Sequence, residues 1–186
     1  MIGKKVLDYL GNKKISFEVL DHKKVFTAYD LSQTLKEDLH RIAKTLLVKA
    51  DKNYVIVILP AAFRVNLDKL KKALSANKIS IPKEEVVVKI LKVKVGGLTP
   101  FGALHKVETI ADKSLLKTQH MIVNAGSFTQ SLRMKVKDYL KAEEAKLASF
   151  GVNAGYKPAK RAPAKKSKKA KLNKKKAAKK ATKRRK

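Results

Sequence analysis

Apolar residues alternate or cluster in short runs along the first 150 positions of this chain. Residues 43–50 (AKTLLVKA) and 53–59 (NYVIVIL) are two β-branched-rich runs separated by Asp51-Lys52. This spacing predicts a β-hairpin. Ile2, Val6, Tyr9 and Leu10 recur at helical intervals, which predicts an amphipathic helix over 2–12. A short strand follows over 15–20. Thr27 is placed to cap a helix running to about residue 36, and 38–41 read as a turn. Asn66 caps a helix over 67–74 carrying Leu67, Leu70 and Leu74. Pro82 opens another, whose first turn holds Glu84 and Glu85, where negative charge suits the helix dipole. Residues 109–111, 121–123 and 132–134 read as strands, and 136–147 as a final helix. Strands and helices interleave, so the pattern predicts an α/β domain on a mixed, partly barrel-like sheet surrounded by helices.

Two features carry candidate chemistry. In the first predicted hairpin strand, Ile42, Lys44, Leu46, Val48 and Ala50 share a face, on which Lys44 is the single charge. Further on, Gly96-Gly97-Leu98-Thr99-Pro100-Phe101-Gly102 packs three glycines and a proline into seven residues. Such a loop lets a ligand approach the backbone closely and can hold a developing oxyanion. Taken singly, each has a plain reading: a turn for the loop, and a lysine snorkelling to solvent for Lys44.

Together they resemble the YbaK and prolyl-tRNA synthetase-associated editing domain family. Lys44-Thr-Leu-Leu-Val followed by Tyr54-Val-Ile-Val-Ile-Leu-Pro60 is similar to the family's Lys-Thr-Leu-(Leu/Val)-Val strand and its partner, and Gly96 to Pro100 to its Gly-x-x-x-Pro loop. Asp21-His22-Lys-Lys-Val-Phe-Thr27 is similar to its N-terminal segment of a His followed by a short run to Thr at a helix start. The resemblance covers roughly residues 1–142. It implies an aminoacyl-tRNA deacylase, with Lys44 holding the terminal nucleotide and Gly96, Gly97 and Pro100 shaping the aminoacyl pocket. His22, Thr99, Phe101 and Gly102 are candidate substrate contacts, although Phe101 also suits packing and Thr99 a simple turn. In the segment from Gln119 to Ser127, His120 and Asn124 share a strand face. Their spacing resembles editing domains that remove alanine, while Val123-Asn124-Ala125-Gly126 echoes the YbaK-type Val-Ser-Gly-Gly. His120, Asn124 and Gly126 are therefore further candidates, and the amino acid removed stays open between cysteine and alanine. A strand-edge role for His120 is the alternative. Ser127, Thr129 and Ser131 read as surface residues, as do His40 and His105.

Charge adds a second layer. The 186 residues carry a net charge of +30, unevenly spread. Residues 151–186 hold 17 of the 45 lysines and arginines and no acid. The composition predicts a folded domain over 1–150 and a disordered Lys/Ala/Pro-rich basic tail over 151–186 that binds RNA or another polyanion. There is no cysteine, which excludes disulfides, Cys–metal sites and Cys nucleophiles. The four histidines lack zincin spacing, and no Gly-x-Ser-x-Gly elbow, Walker loop or dinucleotide fingerprint is present. No metal or cofactor is expected. No secretory signal or membrane-spanning run is evident, so a cytoplasmic protein is expected. The resulting expectation is a trans-editing enzyme that hydrolyses the ester of mischarged tRNA, cysteinyl or alanyl, of the proline acceptor, with prolyl-tRNA synthetase as a further partner. The alternative is a catalytically inactive nucleic-acid-binding protein that uses the tail.

Overall fold

The computed structural model describes residues 2–93 and 97–155. The elements run α1 (Lys4–Asn12), β1 (Phe17–Asp21), α2 (Ala28–Leu35), β2 (Ala43–Ala50), β3 (Asn53–Pro60), β4 (Phe63–Val65), α3 (Leu67–Ala73), β5 (Ile79–Ser80) and α4 (Glu84–Leu91). A 3₁₀ turn (Gly102–His105), β6 (Glu108–Asp112) and a second 3₁₀ turn (Lys113–Lys117) follow. Then come β7 (His120–Asn124), β8 (Gln130–Lys135), α5 (Val136–Ala142), β9 (Lys146–Ala148) and β10 (Gly151–Asn153).

The larger sheet has the order β5-β2-β3-β6-β9. β3 lies at its centre, antiparallel to β2 and parallel to β6. Its apolar run is buried on both faces: Val55, Val57 and Leu59 pack with Leu70, Ile110 and Phe150, while Ile56 and Ile58 face the other side. A second, antiparallel sheet has the order β1-β8-β7. The two sheets meet at Ile42, which bridges Ile122. There the Ile122 amide donates to the Arg41 carbonyl at 2.7 Å and the Ala61 amide to the Ile42 carbonyl at 2.6 Å. The result is the mixed, partly barrel-like arrangement expected. α1 and α5 close one side over Leu10, Phe101, Met121, Leu132 and Tyr139.

One strand edge is left open. β5 pairs with β2 only at Lys49 and Ala50. The N-terminal half of β2, which carries Lys44 and Thr45, has β3 on one side and no ladder partner on the other among the described residues.

Two expectations need correcting. The last helix ends at Ala142 rather than near residue 147. Glu143 turns inward, where its carboxylate accepts from the Tyr9 hydroxyl and from the Ala103 amide at 3.2 Å. Glu144 then takes a left-handed φ of 49° and the chain leaves as β9. The fold also continues past Phe150. β10 pairs antiparallel with β4, so the boundary at 150 falls too early. Composition changes at 151, but this strand is held by backbone pairing and by Asp112, which accepts from the amides of Phe150 at 2.8 Å and Gly151 at 2.6 Å. The expected tail from Tyr156 onward lies outside the described residues.

Candidate functional site

A cavity of about 390 Å³ lies against the open edge of β2. Its walls come from β2, the start of α2, the apolar side of α4 and the turn after β7. Lys44 is half-buried on its wall, and its ammonium donates to the carbonyl of Phe63. Burial, with the Arg64 guanidinium nearby as a second cause, lowers its pKa from the ordinary lysine value. An ammonium has three donors, and beyond the Phe63 contact the other two have no hydrogen-bond partner among the described residues. Beside it the Thr45 hydroxyl is buried with no hydrogen-bond partner. Orphaned hydroxyls are costly in a protein interior, and the Thr45 side chain, on the strand face opposite Lys44, lines the same cavity. Sequence reasoning missed it, although it sits within Lys44-Thr-Leu-Leu-Val.

His22 lines the same cavity. Its Nδ1 lies 2.8 Å from the Lys23 carbonyl and its Nε2 2.9 Å from the Ser131 hydroxyl. A carbonyl can only accept, so Nδ1 carries the proton; in the neutral ring Nε2 then accepts from Ser131. Ser131 is buried, at 3% exposure, and not a surface residue as its alternation suggested. It lies on β8, which packs on β1 just before His22, and the alternation alone gave no sign of that.

Asn124 also lines the cavity. Its Oδ1 accepts from the amides of Gly126 at 2.7 Å and Ser127 at 3.3 Å, which fixes the turn after β7. Gly126 has φ +78°, a conformation that favours glycine. A side chain there would stand 3.6 Å from the Gly97 carbonyl and 3.5 Å from Thr99 Cγ2, so this turn packs on the glycine loop.

The loop itself is a boundary between two cavities. Leu98 faces the Lys44 cavity, whereas Gly97, Thr99 and Gly126 line a second one of about 480 Å³. Thr99 is 4% exposed and its hydroxyl is also without a partner. The Pro100 carbonyl accepts from the buried Tyr139 hydroxyl at 2.6 Å, which anchors the loop to α5. Gly96 lies outside the described residues.

Pro100, Phe101, Gly102 and His120 line neither of these two cavities. Phe101 is fully buried, tilted against Tyr9 and Tyr139, so it packs and does not touch a ligand pocket. Gly102 lies flush against the strand below: a Cβ there would stand 2.3 Å from Thr109 Oγ1 and 2.4 Å from the Val107 carbonyl. It is a packing glycine. His120 is at the opposite end of β7 from Asn124 and lines a third cavity with Glu37, Arg41 and Arg133. The structure does not bring it to Lys44. Among the described residues no group of His, Asp or Glu is placed to hold a metal ion. No helix among them is long and apolar enough to cross a membrane.

Comparison with known proteins assigns the fold to a class. Residues 22–142 match the aminoacyl-tRNA editing domain, and the chain belongs to that family. It is 24% identical to the prolyl-tRNA editing protein ProX of Acetoanaerobium sticklandii over 151 residues, covering 78% of this chain and 92% of that protein. It is 32% identical over 101 residues to the proline–tRNA ligase of Caldicellulosiruptor saccharolyticus, covering 54% of this chain but 17% of the ligase. The chain thus spans nearly all of the former relative and a small part of the latter. In structure it is similar to a hypothetical protein (TM-score 0.75, 20% identity, 80% of this chain and 100% of that one). It is also similar to a protein provisionally described as a trans-editing enzyme for prolyl tRNA synthetase (TM-score 0.72, 17% identity, 82% and 99%). These two likenesses carry the fold.

Proposed function

We propose that this protein is a trans-editing aminoacyl-tRNA deacylase that hydrolyses the ester of mischarged tRNA of the proline acceptor. The observation that carries this reading is Lys44: a half-buried ammonium on the wall of the cavity, with one hydrogen bond, to the Phe63 carbonyl, among the described residues. A cation in a water-poor site suits a phosphate or ribose oxygen far better than the same cation in bulk water. The cavity volume of about 390 Å³ is near the low end of small-ligand sites. It has room for one terminal nucleoside with its acyl group, and cysteine and alanine remain the proposed acyl groups.

The chemistry asks little of the protein. Water adds to the ester carbonyl carbon, the carbonyl oxygen becomes an oxyanion, and the ribose oxygen leaves with a proton, giving free amino acid and tRNA. Lys44 and Thr45 orient the ribose end, and the Ser131–His22 pair presents polar edges near the turn at Asn124. The substrate's own neighbouring hydroxyl can assist proton transfer. A protein nucleophile is not required, in keeping with a cavity that has no cysteine beside it. The basic residues beyond Tyr156 supply sequence-independent affinity for tRNA, and a prolyl-tRNA synthetase is the partner whose errors would be cleared.

The test is release of amino acid from cysteinyl- and alanyl-tRNA bearing the proline anticodon. Wild type should deacylate at least one of them well above the spontaneous rate, and Lys44→Ala should not. RNA binding without deacylation of any mischarged species would instead establish the inactive, nucleic-acid-binding alternative.

A further inference from the structure

Resting on that reading, we infer that Phe26 and Phe128 form a stacking platform for the base preceding the terminal nucleotide, with Lys24 holding its phosphate.

Phe26 is a large apolar side chain at 70% exposure. It is not isolated. Its ring centroid lies 5.2 Å from that of Phe128, tilted by 54°. The Lys24 ammonium stands 5.1 Å from the Phe26 centroid and 5.9 Å from that of Phe128. Both rings line the mouth of the Lys44 cavity. The two segments are strapped together: the Val25 amide donates to the Phe128 carbonyl at 3.0 Å, and the His22 amide to the Thr129 carbonyl at 2.9 Å. The backbone segments that carry the two rings are therefore held together as one lip.

The occupant follows from size and charge. The cavity has room for one acylated nucleoside, so the nucleotides before it must leave over the rim. An aromatic lip offers a face that any base can stack on. An ammonium against the same rings is the complement of a phosphate, and a single sugar separates phosphate from base. An apolar protein partner would use the rings but have no need of the cation. The +30 net charge of the chain favours a polyanion over such a partner.

The test uses the full-length protein and an uncharged RNA hairpin carrying the unpaired 3′ end of tRNA. A second hairpin has an abasic site at the penultimate nucleotide, which deletes the base and keeps the phosphate. Wild type should bind the abasic RNA about 5- to 150-fold more weakly than the intact one, the span of a single base–aromatic stack. Phe26→Ala should weaken binding of intact RNA by a similar factor and of abasic RNA less than twofold; Phe26→Tyr should bind as wild type. Lys24→Gln should reduce the slope of log K against log salt by about 0.7, the share of one single-strand phosphate. Equal affinity of wild type for both RNAs, or equal losses in Phe26→Ala on both, would overturn the platform. Deacylation by wild type is read separately. An active enzyme with no coupling between Phe26 and the base sinks the lip alone, and coupling without deacylation sinks the catalytic reading alone.

Discussion

Lys44→Met separates the role of the charge from that of the stem. The methionine keeps the unbranched apolar stem on β2 and removes the ammonium. Two energetic changes offset each other in the folded protein. The Phe63 carbonyl loses its lysine donor, which costs about 1 kcal/mol. The burial penalty on a half-buried cation, visible in its lowered pKa, is relieved. Net stability should stay within about 1 kcal/mol, a shift of no more than ~4 °C in melting temperature for a domain of this size. Catalysis has no such offset. A positioned cation lost from a water-poor site costs about 10²–10³ in rate, so kcat/KM on mischarged tRNA should fall by that factor. The pH dependence adds a second readout. Because the folded-state pKa of Lys44 is lowered, the unfolded chain binds more protons between the folded and unfolded pKa values. Lys44 therefore contributes a rise in stability with pH through that alkaline window, read as the difference between wild type and the methionine variant, because the raised Tyr9 and Tyr139 hydroxyls act in the opposite sense in both proteins. Activity of the wild type should fall through the window as the ammonium is lost, and that loss should be absent in the methionine variant. The assays are thermal unfolding and amino-acid release from pH 7 upward. A folded Lys44→Met protein with turnover within threefold of wild type would refute the reasoning and return Lys44 to a snorkelling residue.

Gly102→Ala should destabilise by about 3 kcal/mol and lower the melting temperature by ~6–12 °C, because the new methyl meets the Val107 carbonyl at 2.4 Å, an obstacle that cannot rotate away; residual folded protein should deacylate normally. Asp112→Asn should cost about 2–4 kcal/mol in denaturant titrations, since the amide turns a donor toward amides that need an acceptor. Burial pushes the Asp112 carboxyl up, but hydrogen bonds from Ser114, Gly151 and Phe150 outweigh it and hold the pKa below the ordinary 3.8. The wild-type advantage should thus be complete above that value and vanish as pH falls through the lowered one. His120→Ala should leave the preference between cysteinyl and alanyl substrates unchanged in a competition assay, because it lies in a different cavity from Lys44. Removing residues 156–186 should leave the chemical step intact at saturating tRNA; if the tail makes six phosphate contacts, the salt slope of binding should flatten by about four to five units.

What could be read from the chain follows from the length scale of each signal. The β2–β3 hairpin was legible because eight-residue apolar runs around Asp51-Lys52 have few other solutions, and the register falls as expected with Ala50 opposite Asn53. Thr27 and Asn66 were legible as caps because capping is local: each side-chain oxygen accepts from an amide three residues on. β4, β5, β9 and β10 were not, because two or three residues show no periodicity, and their pairing partners lie far away in sequence. The site divides along the same line. Lys44 stood out as a charge in an apolar register, and that register is local. His120 and Asn124 do share a face of β7, as alternation requires, but at about 3.3 Å per residue four steps carry them some 13 Å apart and into different cavities. A shared face fixes direction and not proximity. The converse holds for Ser131, Phe26 and Phe128. Alternation put Ser131 on the surface, and nothing local marked either phenylalanine, yet pairing of β1 with β8 and of the two rim segments brings all three to the Lys44 cavity. The groups that shape this cavity therefore come from long-range backbone pairing, and mutations that break the Val25–Phe128 strap should reach the site without touching any residue that the motif names.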